Sequence, residues 1–165
     1  MTSNPALVPQ PALSLYLAVK DAAAAIEFYK KVFGAVETMR LVEPGGRVGH
    51  AEMTISGSPM MISDEYPELD VLGPQSRGGS TVGIHLYVTD VDEVFARALA
   101  EGAKPIGAVE DEFYGDRSGK LVDPFGHVWY VATRKVELSS EEVTKRYDAL
   151  IKQETEAGAQ VQPAT

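Results

Sequence analysis

The chain has no cysteine, which removes disulfides, thiolate nucleophiles and cysteine-bound metals together. Basic residues are scarce: fifteen lysines and arginines stand against twenty-four aspartates and glutamates, a formal charge of −9 over 165 residues. A surface of that sign repels phosphate backbones and anionic bilayers, so neither nucleic acid nor a membrane is expected as a partner. No apolar run approaches the roughly 20 residues that cross a bilayer. The segment 1–12 carries neither a basic cluster nor a secretory-type apolar stretch; it is expected to be flexible, and the protein cytoplasmic. No Gly-x-Ser-x-Gly elbow and no phosphate loop precede a helix; Gly45-Gly46 and Gly78-Gly79 fall between strands and read as turns. What the chain does hold is 44% hydrophobic residues, enough for a sizeable core at this length.

Those residues are arranged twice over. Leu13 to Val19 alternates apolar and polar positions and runs into Asp21, then into a helical stretch ending at Phe33-Gly34-Ala35. Gly83 to Val88 alternates in the same way, reaches Asp90, and continues to Glu101-Gly102-Ala103. Period two predicts a half-buried strand in each copy, and period 3.6 a helix behind it. Asp21 and Asp90 stand where an N-cap accepts from the first free amides, and Gly34 and Gly102 where a helix ends left-handed.

Three strands are expected after each helix. They run over Glu37–Glu43, Gly49–Ile55 and Pro59–Ser63 in the first copy, and over Lys104–Val109, Arg117–Val122 and His127–Thr133 in the second. The reading is an α+β fold of two βαβββ modules at 13–64 and 81–135, joined by a linker loop at 65–80 rich in Pro, Gly and Asp. At 136–153 a C-terminal helix is expected. Ser139 would cap it, Glu142 would reach back in a capping box, and Val143, Tyr147, Leu150 and Ile151 would form its apolar stripe. The tail 154–165 is expected to be disordered.

Several motifs occur in a telling order. Val19-Lys20-Asp21 precedes Ile26-Glu27-Phe28-Tyr29-Lys30-Lys31-Val32-Phe33-Gly34-Ala35, and Asp123-Pro124-Phe125-Gly126-His127 lies in the second module. The doubled module with these motifs resembles the vicinal oxygen chelate superfamily, which groups glyoxalase I, bleomycin-resistance proteins and extradiol dioxygenases. His50-Ala51-Glu52-Met53, Tyr114-Gly115-Asp116-Arg117 and the Leu138–Glu142 stretch look like its PhnB-like branch. The resemblance implies curled mixed sheets that form a ligand cup, and a homodimer. It does not fix a reaction, because the fold hosts lyases, isomerases, dioxygenases and catalytically silent binders.

The resemblance also implies where metal ligands would stand, in the first and last strand of each module. Those positions fall on Ser14 and Gly83, and on Met61 and Tyr130. Gly has no donor, and Ser, Met and Tyr are poor partners for a hard divalent cation. No metal ligand and no cofactor is therefore assigned.

Alternation carries the rest of the site. His85 shares a face with Gly83, and Tyr16 with Ser14. His50, Glu52 and Thr54 lie opposite the apolar Ala51, Met53 and Ile55. Glu52 and His85 are the candidate catalytic residues, as a metal-free base pair or, with His50, as ligands of a relocated metal. Tyr16, His50, Met61, Tyr87 and Tyr130 are the candidate ligand-binding residues, with Arg117 as a guanidinium clamp for a carboxylate or phosphonate or, alternatively, one half of a salt bridge. His127 reads as a turn residue and Trp129 as core.

Three functions follow from these residues. The first is a small-molecule binder that holds an apolar or aromatic ligand in a metal-free cup. The second is a metal-dependent glyoxalase-like lyase or isomerase, or a dioxygenase, with a relocated site. The third is an interaction module in which the cup is vestigial.

Overall fold

The computed structural model describes residues 13–160. The first module consists of β1 (Leu15–Val19), α1 (Ala22–Phe33), β2 (Val36–Val42), β3 (Val48–Ile55) and β4 (Ser58–Asp64). After the short α2 (Pro74–Arg77), the second has β5 (Gly83–Tyr87), α3 (Val91–Ala100), β6 (Lys104–Pro105), β7 (Glu110–Asp111), β8 (Asp116–Val122) and β9 (Val128–Arg134). The chain closes with α4 (Ser140–Gln160). The fold is α+β: a four-stranded sheet in the order β1-β4-β3-β2 and a five-stranded one in the order β5-β9-β8-β6, with β7 also paired to β8. In each sheet the first strand lies parallel to the last, and the helix between them makes the crossover such a pairing needs.

Local chemistry explains the helix ends. Asp21 accepts from the Ala24 amide at 2.8 Å and Asp90 from the Glu93 amide at 3.0 Å, so each carboxylate answers an orphan donor of its helix. Gly34 closes α1 at φ 67°, a conformation that costs a side-chain-bearing residue and not glycine. Each helix then covers one face of its sheet. α1 buries Ala25, Ile26, Phe28, Tyr29, Val32 and Phe33, and α3 buries Val91, Val94, Phe95 and Ala98, while Leu99 stays at the margin. On β3 the apolar set Ala51, Met53 and Ile55 points under the helix, which leaves His50, Glu52 and Thr54 on the open face.

The two modules share one core. Phe33 of α1 packs on Trp129 of β9 with centroids 4.3 Å apart, and the buried Tyr29 hydroxyl donates to Asp123 Oδ2 at 2.8 Å. Arg97 of α3 reaches across to the Val32 carbonyl at the end of α1 with two N–H groups, at 2.8 and 3.1 Å. Asp123 also accepts from Trp129 Nε1 and from the amides of Phe125 and His127, so its buried charge is fully hydrogen-bonded.

Four details differ from the sequence expectation. Of the strand expected over Lys104–Val109 only Lys104–Pro105 forms, because Pro105 lacks an amide to donate and Gly107 follows it, and a second short strand, Glu110–Asp111, lies beyond the expected end. The segment 65–80 is held in place: Glu65 accepts from the Gly73 amide at 2.7 Å and from Ser76 Oγ at 3.0 Å, Tyr66 pairs with Val71, and α2 follows. Ser139 Oγ accepts from the Glu142 amide at 3.2 Å, but the Glu142 carboxylate turns forward to Arg146, so only half of the capping box forms. α4 also runs to Gln160, past its last apolar position Ile151, on strong helix formers such as Lys, Gln, Glu and Ala. The segment 1–12 and the end of the expected tail, 161–165, lie outside the described residues.

Candidate functional site

Each sheet leaves the face away from its helix open. On the first, register sets Tyr16 beside Met61 and Met61 beside Glu52, one row across β1, β4 and β3. His50 stands next to that row. Its Nδ1 lies 3.3 Å from the Tyr16 hydroxyl and its Nε2 3.4 Å from Glu52 Oε1, so hydroxyl, imidazole and carboxylate form a chain. A carboxylate on one ring nitrogen favours the proton there and leaves the other nitrogen to accept from the phenol. The structure thus brings Tyr16, His50, Glu52 and Met61 together. It does not pair Glu52 with His85: they lie on different sheets, and among the described residues His50 is the histidine in contact with Glu52.

The open face of the second sheet is aromatic. Lys120, Tyr130 and His85 make one row across β8, β9 and β5, and Tyr87 follows His85 on the same face. The His85 and Tyr130 rings are parallel within 4° at 6.5 Å, and the Tyr87 ring centre is 4.8 Å from that of His85. Two features fix these rings. Tyr130 lies across Gly83, where any side chain would collide with its ring. The Tyr87 hydroxyl donates to the buried Asp116 at 2.6 Å and accepts from Arg134, which also bonds Asp116. Burial pushes the Asp116 carboxyl up, but the hydrogen bonds from Arg134 and Tyr87 outweigh it and hold the group below the ordinary carboxylate value. The same carboxylate raises the Tyr87 hydroxyl.

A crevice of about 500 Å³ lies at the edge of this sheet, between the start of β1, the β3–β4 turn and the edge strand β5. Leu15, Ile55, Met60, Ile84, Leu86 and Trp129 give it apolar walls, and His85 lines it too. Ile84, Leu86 and Trp129 belong to the helix-covered side of the sheet, so the crevice opens at the β5 edge and shares only His85 with the ring row.

Arg117 is turned away from both open faces. Alternation along β8 puts it with Gly119 and Leu121 on the helix-covered side, where it holds Asp92 of α3 through two N–H groups at 2.7 and 2.8 Å and Asp111 at 3.2 Å. It is the salt-bridge half of the pair of readings, and the ligand clamp is corrected. Lys120, Ser118 and Arg134 are polar residues of the second face that sequence reasoning passed over, and Asp116 was seen only as part of a motif. The signal was present, because Leu121 fixes the parity of β8 and sets Lys120, Ser118 and Asp116 opposite it.

The inherited metal positions do not fit a cation. Ser14, Met61 and Tyr130 are poor donors, and at Gly83 the place of a ligand side chain is filled by the Tyr130 ring. Among the described residues no three His, Asp or Glu side chains converge on a point that would hold an ion. His127 is buried in its turn with Nδ1 3.8 Å from Asp123, and Trp129 is core.

Comparison with known proteins places this architecture. The chain is 45% identical over 137 residues to an uncharacterized protein of Mycobacterium tuberculosis, covering 81% of each. Among solved structures, TioX from Micromonospora sp. ML1 superposes with a TM-score of 0.59 at 26% identity, over 74% of this chain and 97% of that one. The fosfomycin resistance protein FosX from Listeria monocytogenes, at 20% identity, shares the fold with a TM-score of 0.58 over 79% and 95% of the two chains. The Glyoxalase/Bleomycin resistance protein/Dioxygenase superfamily model matches residues 11–131. A match that enters ahead of β1 and ends inside β9 spans both modules, and the chain belongs to that superfamily.

Proposed function

We propose that the protein is a small-molecule binder of the bleomycin-resistance kind, which holds an apolar or aromatic ligand without a metal. The observation that carries this reading is the apolar crevice of about 500 Å³ at the β5 edge of the second sheet, with His85, a member of the ring row on the open face, in its lining. That volume suits a small organic ligand, and apolar walls beside a few polar groups are how such sites bind. A thermal-shift screen of mono- and polycyclic aromatic compounds, run with a chelator present, tests it. A true ligand at a hundred times its Kd stabilises by about 2.7 kcal/mol, a shift of several degrees. Tyr130→Leu and His85→Leu are expected to abolish the shift. If no compound moves the wild-type Tm, the reading falls.

A second reading has an observation of its own. The Tyr16–His50–Glu52 chain has the arrangement of an acid–base relay, in which Glu52 orients His50 and His50 exchanges a proton with the phenol or a bound substrate. It calls for glyoxalase-like isomerase chemistry without a metal. Turnover of methylglyoxal hemithioacetal that survives chelation and is lost in His50→Gln would establish it. Absence of turnover would remove it.

The proposal includes a homodimer in the cytoplasm and a place in the PhnB-like branch. Leu13, Leu15, Leu41 and Val42 of the first module and Tyr147 and Ile151 of α4 are exposed, apolar surface that a second copy would cover. Sedimentation equilibrium is expected to give twice the chain mass.

A further inference from the structure

Lys120 is a cation without an anion. Lys30 and Lys31 pair with glutamates, and the other unpaired lysines of the described residues are exposed, whereas Lys120 is half-buried and makes no ion pair or hydrogen bond among them. Its ammonium lies 4.9 Å from the centre of the Tyr130 ring, on the open face of the second sheet. In a chain of net charge −9, a half-buried lysine without an anion on a sheet face is a place where an anionic ligand would be answered. Arg134, the other cation of this face, is already committed to Asp116 and Tyr87.

The surroundings state what would answer it. Lys120, Tyr130 and His85 stand in one row on the open face, with Tyr87 beside His85. Tyr130 lies in the space that Gly83 leaves, Tyr87 is held by Asp116 and Arg134, and His85 stands beside both rings. Parallel rings in fixed places offer faces for stacking. A carboxylate on the stacked ring would give Lys120 a charge-assisted partner on a face where water is partly displaced.

We propose that the second sheet is a recognition site for planar aromatic acids, with Lys120 as the carboxylate-reading residue and Tyr130 and His85 as the stacking surface. The inference rests on the binder reading and adds the ligand class to it. Gly83 is a positioning residue here: its missing side chain is what lets Tyr130 lie across β5 and beside the ammonium.

The test compares three probes on the full chain: 2-naphthoate, its neutral amide 2-naphthamide, and the saturated decahydro-2-naphthoate. Calorimetry gives the Kd values, and amide-resolved NMR shifts locate the site. Naphthoate is expected to bind about tenfold more tightly than the amide or the saturated acid, one charge-assisted contact and one stacked face being each of that order. Lys120→Met is expected to erase the preference, giving naphthoate and the amide equal affinity, while Lys120→Arg keeps the preference. Shifts are expected at β5, β8 and β9. Equal affinity for acid and amide in the wild type, or a preference that survives Lys120→Met, overturns the inference and leaves the binder reading standing. Shifts confined to the first sheet overturn it also. If none of the probes binds and the aromatic screen is silent, both fall together.

Discussion

His127 shows how much one side chain carries without touching a ligand. Its Nδ1 is the buried side-chain atom that lacks a hydrogen-bond partner among the described residues, 3.8 Å from Asp123 Oδ2. Burial lowers its pKa, and the Asp123 charge only partly restores it. The consequence for stability has a definite sign. The unfolded chain takes up a proton on this histidine near pH 6.5, whereas the folded chain resists until lower pH. Stability contributed by neutral His127 is therefore present above about pH 6.5 and lost as pH falls from there toward the folded value. Wild type is expected to lose stability between about pH 7.5 and pH 5.5, at no more than about 1.4 kcal/mol per pH unit from this group. His127→Gln, which cannot take the proton, is expected to show a flatter profile in urea titrations across that range. Parallel profiles for the two proteins would mean that the imidazole charges freely in the fold.

At the scale of elements, the sequence was legible wherever period and cap agreed. Asp21 and Asp90 mark the starts of α1 and α3 because a carboxylate there answers an amide that has no partner inside the helix. Asp90→Ala is expected to lower stability by about 1 kcal/mol, with Asp90→Ser recovering most of it, read as a shift in the urea midpoint at constant m value. An alanine variant as stable as wild type would show that the Thr133 hydroxyl, which accepts from the neighbouring Val91 amide at 2.8 Å, holds the helix start alone. β3 was legible for the same kind of reason: three apolar residues at period two have one face to bury. The break at Pro105–Gly107 and the tethered segment 65–80 were not. The first depends on a missing amide at one ladder position. The second depends on where Glu65 points, and no period in the sequence encodes that. Arg117 illustrates the limit within the site, since residue type suggested an anion clamp while its place in the β8 alternation assigned it to Asp92.

At the scale of the molecule, the doubled module could be read from the repeat, but how its halves join could not. The joint is tertiary: Tyr29 of the first module is fully buried and donates to Asp123 of the second, and Phe33 packs on Trp129. Burial first, and then the Asp123 charge, hold the Tyr29 hydroxyl well above its ordinary pKa, so it stays a donor at any working pH. A shared core of this kind couples the modules, and one cooperative transition is expected rather than two. The chain supplies its own reporter, because its single tryptophan sits in the second module beside the joint, while far-UV circular dichroism sees both helices and both sheets. In wild type the two signals are expected to change at the same urea concentration. Tyr29→Phe keeps the ring packing and removes only the bond to Asp123, which retains Trp129 and two amides as donors. Its cost is therefore expected to be about 1–2 kcal/mol, and not the larger penalty of a stranded charge. The midpoints of the variant are expected to move down together. Trp129 fluorescence changing at a different urea concentration from the dichroism would mean that the modules fold separately and that the joint between α1 and β9 is contact without coupling.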